Sequence, residues 1–178
     1  MTRHEAMHPG RWALIFGGFA AAIYCLMIFG TLAQLVEMSA LAPFDMRPGG
    51  YSALDAEELL QALGAEGRAY YLTRQIPLDL VYPALLAMTL VAAFQWVGRH
   101  EFLGRIVTIG MWLAIAAAVL DYLENAGIVS MILLWPDVPA FVVATASITS
   151  MAKAGMTTAA VVLLLMLVVL RIWRVGWR

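Results

Sequence analysis

The sequence has little charge and almost no cysteine. Only 13% of its 178 residues are charged, whereas 63% are hydrophobic. A soluble domain of this size needs more polar surface than that, because only its core can be wholly apolar. Cys25 is the single cysteine, which excludes an internal disulfide. Because it lies within an apolar segment, we expect its thiol to be buried and chemically inert.

Patterns typical of common activities are also missing. The net charge is −1, and no basic run is interleaved with aromatic residues, so we predict no nucleic-acid partner. The sequence has no glycine-rich phosphate loop, no Cys/His metal-ligand spacing and no nucleophile elbow. No catalytic residue can therefore be assigned from a motif, and whether the protein is an enzyme stays open.

Long apolar runs are what the sequence does have. They cover residues of about 12–36, 76–97, 106–135 and 138–170. Each run reaches the length of about 20 residues that a helix needs to cross a bilayer. We therefore predict an all-α integral membrane protein, a four-helix bundle in which residues 1–178 form a single transmembrane domain.

The distribution of arginine predicts the direction of these helices. Seven arginines flank the helix ends that share one side of a four-span topology: Arg3, Arg11, Arg99, Arg105, Arg171, Arg174 and Arg178. Because positive residues concentrate on the cytoplasmic side, we expect both termini in the cytoplasm and the protein in the inner (plasma) membrane. A cleaved signal peptide ending near Thr31–Ala33 is the alternative for the first run, and it would leave three spans. The run is longer than a usual signal-peptide core, which favours four.

The first outer loop contains a helix signal. Ser52 and Asp55 resemble a capping box, and Gly64 suits a helix C-terminus. Between them, an apolar face is formed by Leu54, Leu59, Leu60 and Leu63. We predict a short amphipathic helix lying over the outer end of the bundle. It would be either a functional lid or an interfacial helix that only anchors the loop.

Charged side chains occur inside the apolar runs. Asp79, Asp121, Glu124 and Lys153 lie between about 24 and 30 Å from the cytoplasmic ends of three different helices, at ~1.5 Å per residue. Ionisable groups in such segments are costly and usually face a partner or a site. We expect Lys153 to pair with Asp121 or Glu124, with Asp79 nearby. The candidate ligand-binding or proton-handling residues are Asp79, Tyr82, Asp121, Glu124, Asn125 and Lys153.

A metal site is not predicted at this layer. Carboxylates with one asparagine could hold a hard cation, but Lys153 would repel it. The histidines, His4, His8 and His100, are all assigned to the cytoplasmic side. We accordingly expect neither a metal nor a cofactor.

These features favour a protein that binds a small or lipidic ligand near the outer face. Two alternatives stay open: a membrane enzyme that uses a carboxylate for acid–base chemistry, such as a lipid isomerase, and a structural or accessory subunit. Membrane lipids are expected partners, and an oligomer or a partner subunit stays open. Four helices with acidic groups near one end are broadly similar to the sterol-isomerase and sigma-2-receptor superfamily. That resemblance concerns architecture, and no site residue is transferred from it.

Overall fold

The computed structural model describes residues 8–98 and 104–176, with the backbone alone from 174 onward. Arg3, His4, Arg99, His100 and Arg178 lie outside these ranges, as does the side chain of Arg174. The described residues form helices and no strands, so the prediction of an all-α fold is confirmed.

Six α-helices and two π-helical turns make up the fold. They are α1 (Pro9–Leu26), a π-helical turn (Met27–Thr31), α2 (Leu32–Ser39), α3 (Ala53–Tyr70), a second π-helical turn (Tyr71–Gln75), α4 (Ile76–Val97), α5 (Gly104–Leu133) and α6 (Ala140–Gly176). A short 3₁₀ turn, Phe44–Met46, lies between α2 and α3. Because the π-helical turns join their neighbours without a break, the chain forms four long apolar segments: Pro9–Ser39, Ala53–Val97, Gly104–Leu133 and Ala140–Trp173. Each is long and apolar enough to cross a membrane.

The helices pack as a bundle with an apolar outer surface. Helix α1 packs on α4, α4 on α5, and α5 most extensively on α6. Large side chains remain exposed along their outer faces, including Leu14 at 78% and Phe29 at 82% exposure. So much exposed apolar surface is unusual for a soluble monomer and suits contact with lipid. The architecture is therefore compatible with a multi-pass membrane protein.

Cys25 belongs to this exposed surface, so the expectation that it is buried is wrong. Helix α1 contacts the bundle along one narrow face, and Ala20 is its only buried residue. The thiol lies on a different face. An apolar sequence around a residue indicates that its surroundings are apolar. Those surroundings can be lipid as well as a protein core.

The close approach of α5 and α6 depends on one glycine. A Cβ added at Gly127 of α5 would lie 2.6 Å from the Cβ of Ala146 on α6. The two backbones can be this near because neither residue carries a larger side chain. This approach holds α5 and α6 together in the halves of the two helices that carry their charged residues.

The segment before α4 differs from the expected short loop helix. The capping box between Ser52 and Asp55 is present, and α3 begins at Ala53. However, the chain only changes direction at Gly64, where φ is 62°, and then continues helically into α4. Leu59, Leu60 and Leu63 are buried, whereas Leu54 is 77% exposed. Helix α3 packs against α2 and α6 and so forms part of the bundle core.

Candidate functional site

Lys153 of α6 lies between two carboxylates of α5. Its Nζ donates a hydrogen bond of 2.8 Å to Asp121 Oδ1 and forms an ion pair with Glu124. Asp121 and Glu124 lie three positions apart, so they project from the same side of α5. The side chain of Glu124 is fully buried, and that of Lys153 is 18% exposed. The prediction that Lys153 contacts these acids is confirmed.

Helix α4 brings Asp79 to the same place. Asp79 lies in the first turn of α4, directly after the second π-helical turn, and it is 3% exposed. The side-chain amide of Asn125 donates a hydrogen bond of 3.0 Å to the backbone carbonyl of Asp79. Asn125 is itself 2% exposed. This bond joins α4 to α5 beside the lysine, so five of the six candidate residues meet.

Tyr82, the sixth candidate, lies at the edge of this group. Its ring stacks on Tyr24 of α1, with 5.6 Å between the ring centroids. It is close enough to interact electrostatically with Asp79 and Asp121. Tyr82 therefore separates these carboxylates from α1.

A fourth carboxylate, Asp45, comes from the segment between α2 and α3 and was missed in the sequence analysis. It accepts a hydrogen bond from the hydroxyl of Tyr71. It also interacts electrostatically with the other three acids, Asp79, Asp121 and Glu124. One sequence signal was available, because the apolar stretch 41–44 directly before Asp45 is unlike a solvated loop. We call Asp45, Asp79, Asp121, Glu124 and Lys153 the charged cluster.

Residues 43–51, which we call the loop cap, lie against the charged cluster at one end of the bundle. The backbone N–H of Tyr51 donates a hydrogen bond of 2.8 Å to Ser147 Oγ on α6. The hydroxyl of Ser150, also on α6, donates to the carbonyl of Arg47 at 3.4 Å. Phe44 is fully buried, and its ring centroid lies 4.8 Å from that of Tyr51. The loop cap is thus fixed to the bundle by polar and aromatic contacts.

The Tyr51 phenol remains a neutral donor in this setting. Its burial raises its pKa above the ordinary value for tyrosine, and the negative charges of Glu124 and Asp45 raise it further. Each effect penalises the phenolate, because a buried anion loses hydration and is repelled by neighbouring carboxylates. Tyr51 therefore presents an O–H to the charged cluster across the physiological pH range.

The two π-helical turns face each other beside the cluster. Thr31, at the end of the first turn, donates a hydrogen bond to the side-chain carbonyl of Gln75, at the end of the second. Tyr71, the residue that holds Asp45, begins the second turn. Such turns are rare and occur frequently at functional sites, because the extra residue redirects side chains inward.

Several buried polar atoms around the cluster have no hydrogen-bond partner among the described residues. They are Tyr51 Oη, Gln75 Nε2, Asn125 Oδ1, Asp45 Oδ1 and Asp79 Oδ2, of which the last two belong to carboxyl groups within hydrogen-bonding reach of each other. A buried unpaired polar atom costs roughly 1–3 kcal/mol. Native cores rarely contain several of these together unless the place has a function. The cluster also has four acids against one lysine, so its charges are not balanced.

Other parts of the described chain offer less chemistry. In residues 8–98 and 104–176, no group of three or more His, Cys, Asp or Glu side chains is arranged to hold a metal ion. A groove of about 430 Å³ lies between α1, α4 and α5, lined by residues such as Trp12, Phe16, Met88 and Ile115. Its walls are apolar apart from Gln95, so it lacks groups for acid–base chemistry.

Comparisons with known proteins add no assignment. No protein-family model, no curated protein and no solved structure matches the chain. The architectural similarity to the sterol-isomerase and sigma-2-receptor superfamily gains no support from them. A functional proposal must therefore depend on the geometry of the charged cluster and the loop cap.

Proposed function

We propose that the protein is a multi-pass protein of the inner (plasma) membrane, with both termini cytoplasmic, that binds a small or lipidic ligand in the charged cluster. The polar group of the ligand lies among Asp45, Asp79, Asn125 and Tyr51. The loop cap covers it on the outer side. Membrane lipids surround the helices, and a lipidic ligand would reach the cluster from the outer leaflet.

The observation that carries this proposal is the set of unpartnered buried atoms at the cluster. A cluster that only fixed helix packing would be expected to pair its polar atoms, because each unpaired one opposes folding. Lys153 is paired in this way, because it forms ion pairs with Asp121 and Glu124. Asp45, Asp79 and Asn125 are not, since within the described residues neither carboxyl group forms an ion pair and the side-chain oxygen of Asn125 has no donor.

The loop cap gives such a site a means of access. Two residues with left-handed backbone conformations lie near its ends, Ala40 with φ of 56° three residues before it and Gly50 with φ of 83° within it. Few hydrogen bonds join it to α6. Opening it would expose Asp45 and then Asp79 to the outer side, whereas the lysine pairs on α5 and α6 would stay in place.

A second candidate function is acid–base catalysis on a membrane substrate. It is favoured by one observation, the interaction between the carboxyl groups of Asp45 and Asp79. Paired carboxyl groups in a buried place are a common arrangement of acid–base residues in enzymes. Such a pair can donate a proton to a bound molecule or accept one from it. Binding remains the first proposal, because no nucleophile or cofactor motif indicates a reaction.

The test is purification from native membranes in lipid nanodiscs, followed by mass spectrometry of bound small molecules and proteins. Asp79→Asn is compared with Glu57→Gln, an exposed acid on α3 that serves as the matched control. We expect one bound molecule to co-purify with the wild type and with Glu57→Gln but not with Asp79→Asn. Equal recovery of every bound molecule from all three folded proteins would contradict the proposal. A stoichiometric protein partner would instead favour the accessory-subunit alternative.

A further inference from the structure

The apolar groove between α1, α4 and α5 lies in the half of α4 that is farther from Asp79. Its α4 residues extend from Ala87 to Gln95, which is about 12 Å of helix at ~1.5 Å per residue. The hydrocarbon of one leaflet is roughly 15 Å thick, half of the ~30 Å of a bilayer core. The groove therefore has nearly the length of the hydrocarbon in a single leaflet.

The walls of the groove are open and apolar. On α1, the rings of Trp12 and Phe16 stack with 5.3 Å between their centroids and line one wall. Met88 of α4 and Ile115 of α5, which also line the groove, are 40% and 39% exposed. A trough of this kind offers a lipid chain contact on several sides, whereas a smooth helix face offers contact on one.

The starts of α1 and α5 lie beside the end of α4, where the groove reaches Gln95. A Cβ added at Gly10 of α1 would lie 2.9 Å from the ring of Trp96. A Cβ added at Gly98, directly after α4, would lie 2.7 Å from Val107 of α5. The first turns of α1 and α5 therefore flank this end of the groove.

Positive charge collects at this end. Arg11 and Arg105, in the first turns of α1 and α5, are both exposed, and neither forms an ion pair with a described residue. Arg171 of α6 is also there, with its guanidinium 4.4 Å from the ring centroid of Trp96. The parts of the described chain that form this half of the bundle contain no Asp or Glu, namely residues 8–26, 86–98, 104–120 and 154–176.

We propose that the groove binds an acyl chain of an anionic phospholipid from the cytoplasmic leaflet, with the lipid phosphate held by Arg11 and Arg105. This inference depends on the proposed membrane orientation and not on a ligand in the charged cluster. Guanidinium groups bind phosphate through paired N–H donors, and basic residues at the cytoplasmic ends of transmembrane helices attract anionic lipids. The exposed side-chain amide of Gln95 adds a donor at the same end.

Other occupants match this surface less well. A zwitterionic lipid carries no net negative charge to oppose the arginines. A helix from a second copy of the chain, inserted in the same direction, would bring its own Arg11 and Arg105 to the same depth. Like charges would then meet where the groove already has an excess of positive charge.

The experiment measures which lipids remain bound to the full chain. The protein is reconstituted in nanodiscs of equal dioleoyl phosphatidylglycerol and dioleoyl phosphatidylcholine, and retained lipids are counted by native mass spectrometry. We expect the wild type to prefer phosphatidylglycerol by roughly 10-fold or more. Arg11→Gln and Arg105→Gln should each lower this preference by about 5-fold. Arg74→Gln, an exposed arginine at the other end of α4, is the matched control and should not change it.

A second set of variants tests the groove itself. Ala87→Phe places a ring in the groove and should lower the retained phosphatidylglycerol by about 10-fold. Ala159→Phe, at an exposed position of α6 outside the groove, is its control. Met88→Trp, at a more exposed lining position, fills the groove in its place if Ala87→Phe does not fold.

The outcomes separate this inference from the proposed function. Equal retention of both lipids by the wild type, or an unchanged preference in both arginine variants, would overturn it. A dimer without bound phospholipid that is abolished by filling the groove would assign the groove to a second copy and also overturn it. A preference that falls with Asp79→Asn as much as with Arg11→Gln would place the lipid at the charged cluster, against this inference but in favour of the proposed function.

Discussion

Tyr71 and Asp45 are hydrogen-bonded across a separation of 26 residues. Tyr71 begins the π-helical turn that leads into α4, and Asp45 lies in the loop cap. This bond links the loop cap to the segment that carries Asp79. It makes the position of the loop cap depend on the geometry of a helix in the bundle.

Replacing Tyr71 with phenylalanine should loosen the loop cap. The ring is fully buried and would remain, but Asp45 would lose its donor. We expect a loss of about 1–3 kcal/mol in the free energy of unfolding and faster hydrogen exchange in residues 43–51. Tyr70→Phe, at a partly buried position one residue earlier, is the control. Unchanged exchange in the loop cap would show that the bond does not hold it.

Replacing Lys153 with methionine should strongly destabilise the bundle. The substitution keeps most of the side-chain volume but leaves Asp121 and Glu124 buried without a cation. We expect a loss of about 3 kcal/mol or more, measured by thermal or denaturant unfolding in nanodiscs. Adding Glu124→Gln to Lys153→Met should recover part of the loss, because it removes one uncompensated charge. Simple additivity of the two substitutions would argue against a direct pair.

Gly50→Ala should disturb the packing of the loop cap against α6. The added Cβ would lie 2.8 Å from Ser147 Oγ and 3.0 Å from Met151 Sδ, at a residue whose φ is 83°. Left-handed conformation costs a non-glycine residue about 1–3 kcal/mol. Gly49→Ala is a matched control, because its Cβ would meet nothing within 4 Å. Equal stability of the two variants, with equal protease resistance of the loop, would contradict this contact.

Tyr51, in the loop cap, should also make the stability of the protein depend on pH in the alkaline range. Since burial and nearby carboxylates raise the pKa of Tyr51, the folded state keeps the phenolic proton after the unfolded state has lost it. This contribution to stability is complete below about pH 10, the ordinary tyrosine value, and declines as the pH rises beyond it. Tyr51→Phe should remove that part of the alkaline loss. A wild type and a Tyr51→Phe variant with identical profiles above this pH would refute the assignment.

The proposed orientation can be tested by cysteine labelling. With Cys25 replaced by serine, a cysteine at Glu57 on α3 should react with an impermeant maleimide from outside intact cells. A cysteine at Arg11, which is exposed near the start of α1, should react only after the membrane is permeabilised. The reverse pattern would place the termini outside.

The structural features that could be predicted from the sequence are those set by a local sequence pattern. The contact between Lys153 and the acids of α5 followed from depth and helical phase, because both are set by regular helix geometry. The capping box at Ser52 was likewise a local signal. The continuation of α3 into the bundle was not, since Gly64 can end a helix or merely redirect it.

Asp45 could not be placed by the same reasoning. It lies outside any regular helix, and its position depends on how residues 43–51 fold back onto α6. The π-helical turns are equally hidden, because no sequence rule specifies where one extra residue enters a helix. Yet Tyr71 and Gln75 are the first and last residues of the second turn. Through their hydrogen bonds with Asp45 and Thr31, they determine which groups face the charged cluster.

The burial of Lys153 has a practical consequence for chemical labelling. It is the single lysine in the sequence, and its ammonium is enclosed by two carboxylates. Amine-directed crosslinkers, trypsin cleavage after lysine and enzymes that modify lysine all need an accessible side chain. Because the Lys153 side chain is only 18% exposed and its ammonium is held by both acids, acylation at Lys153 would report that the charged cluster has opened.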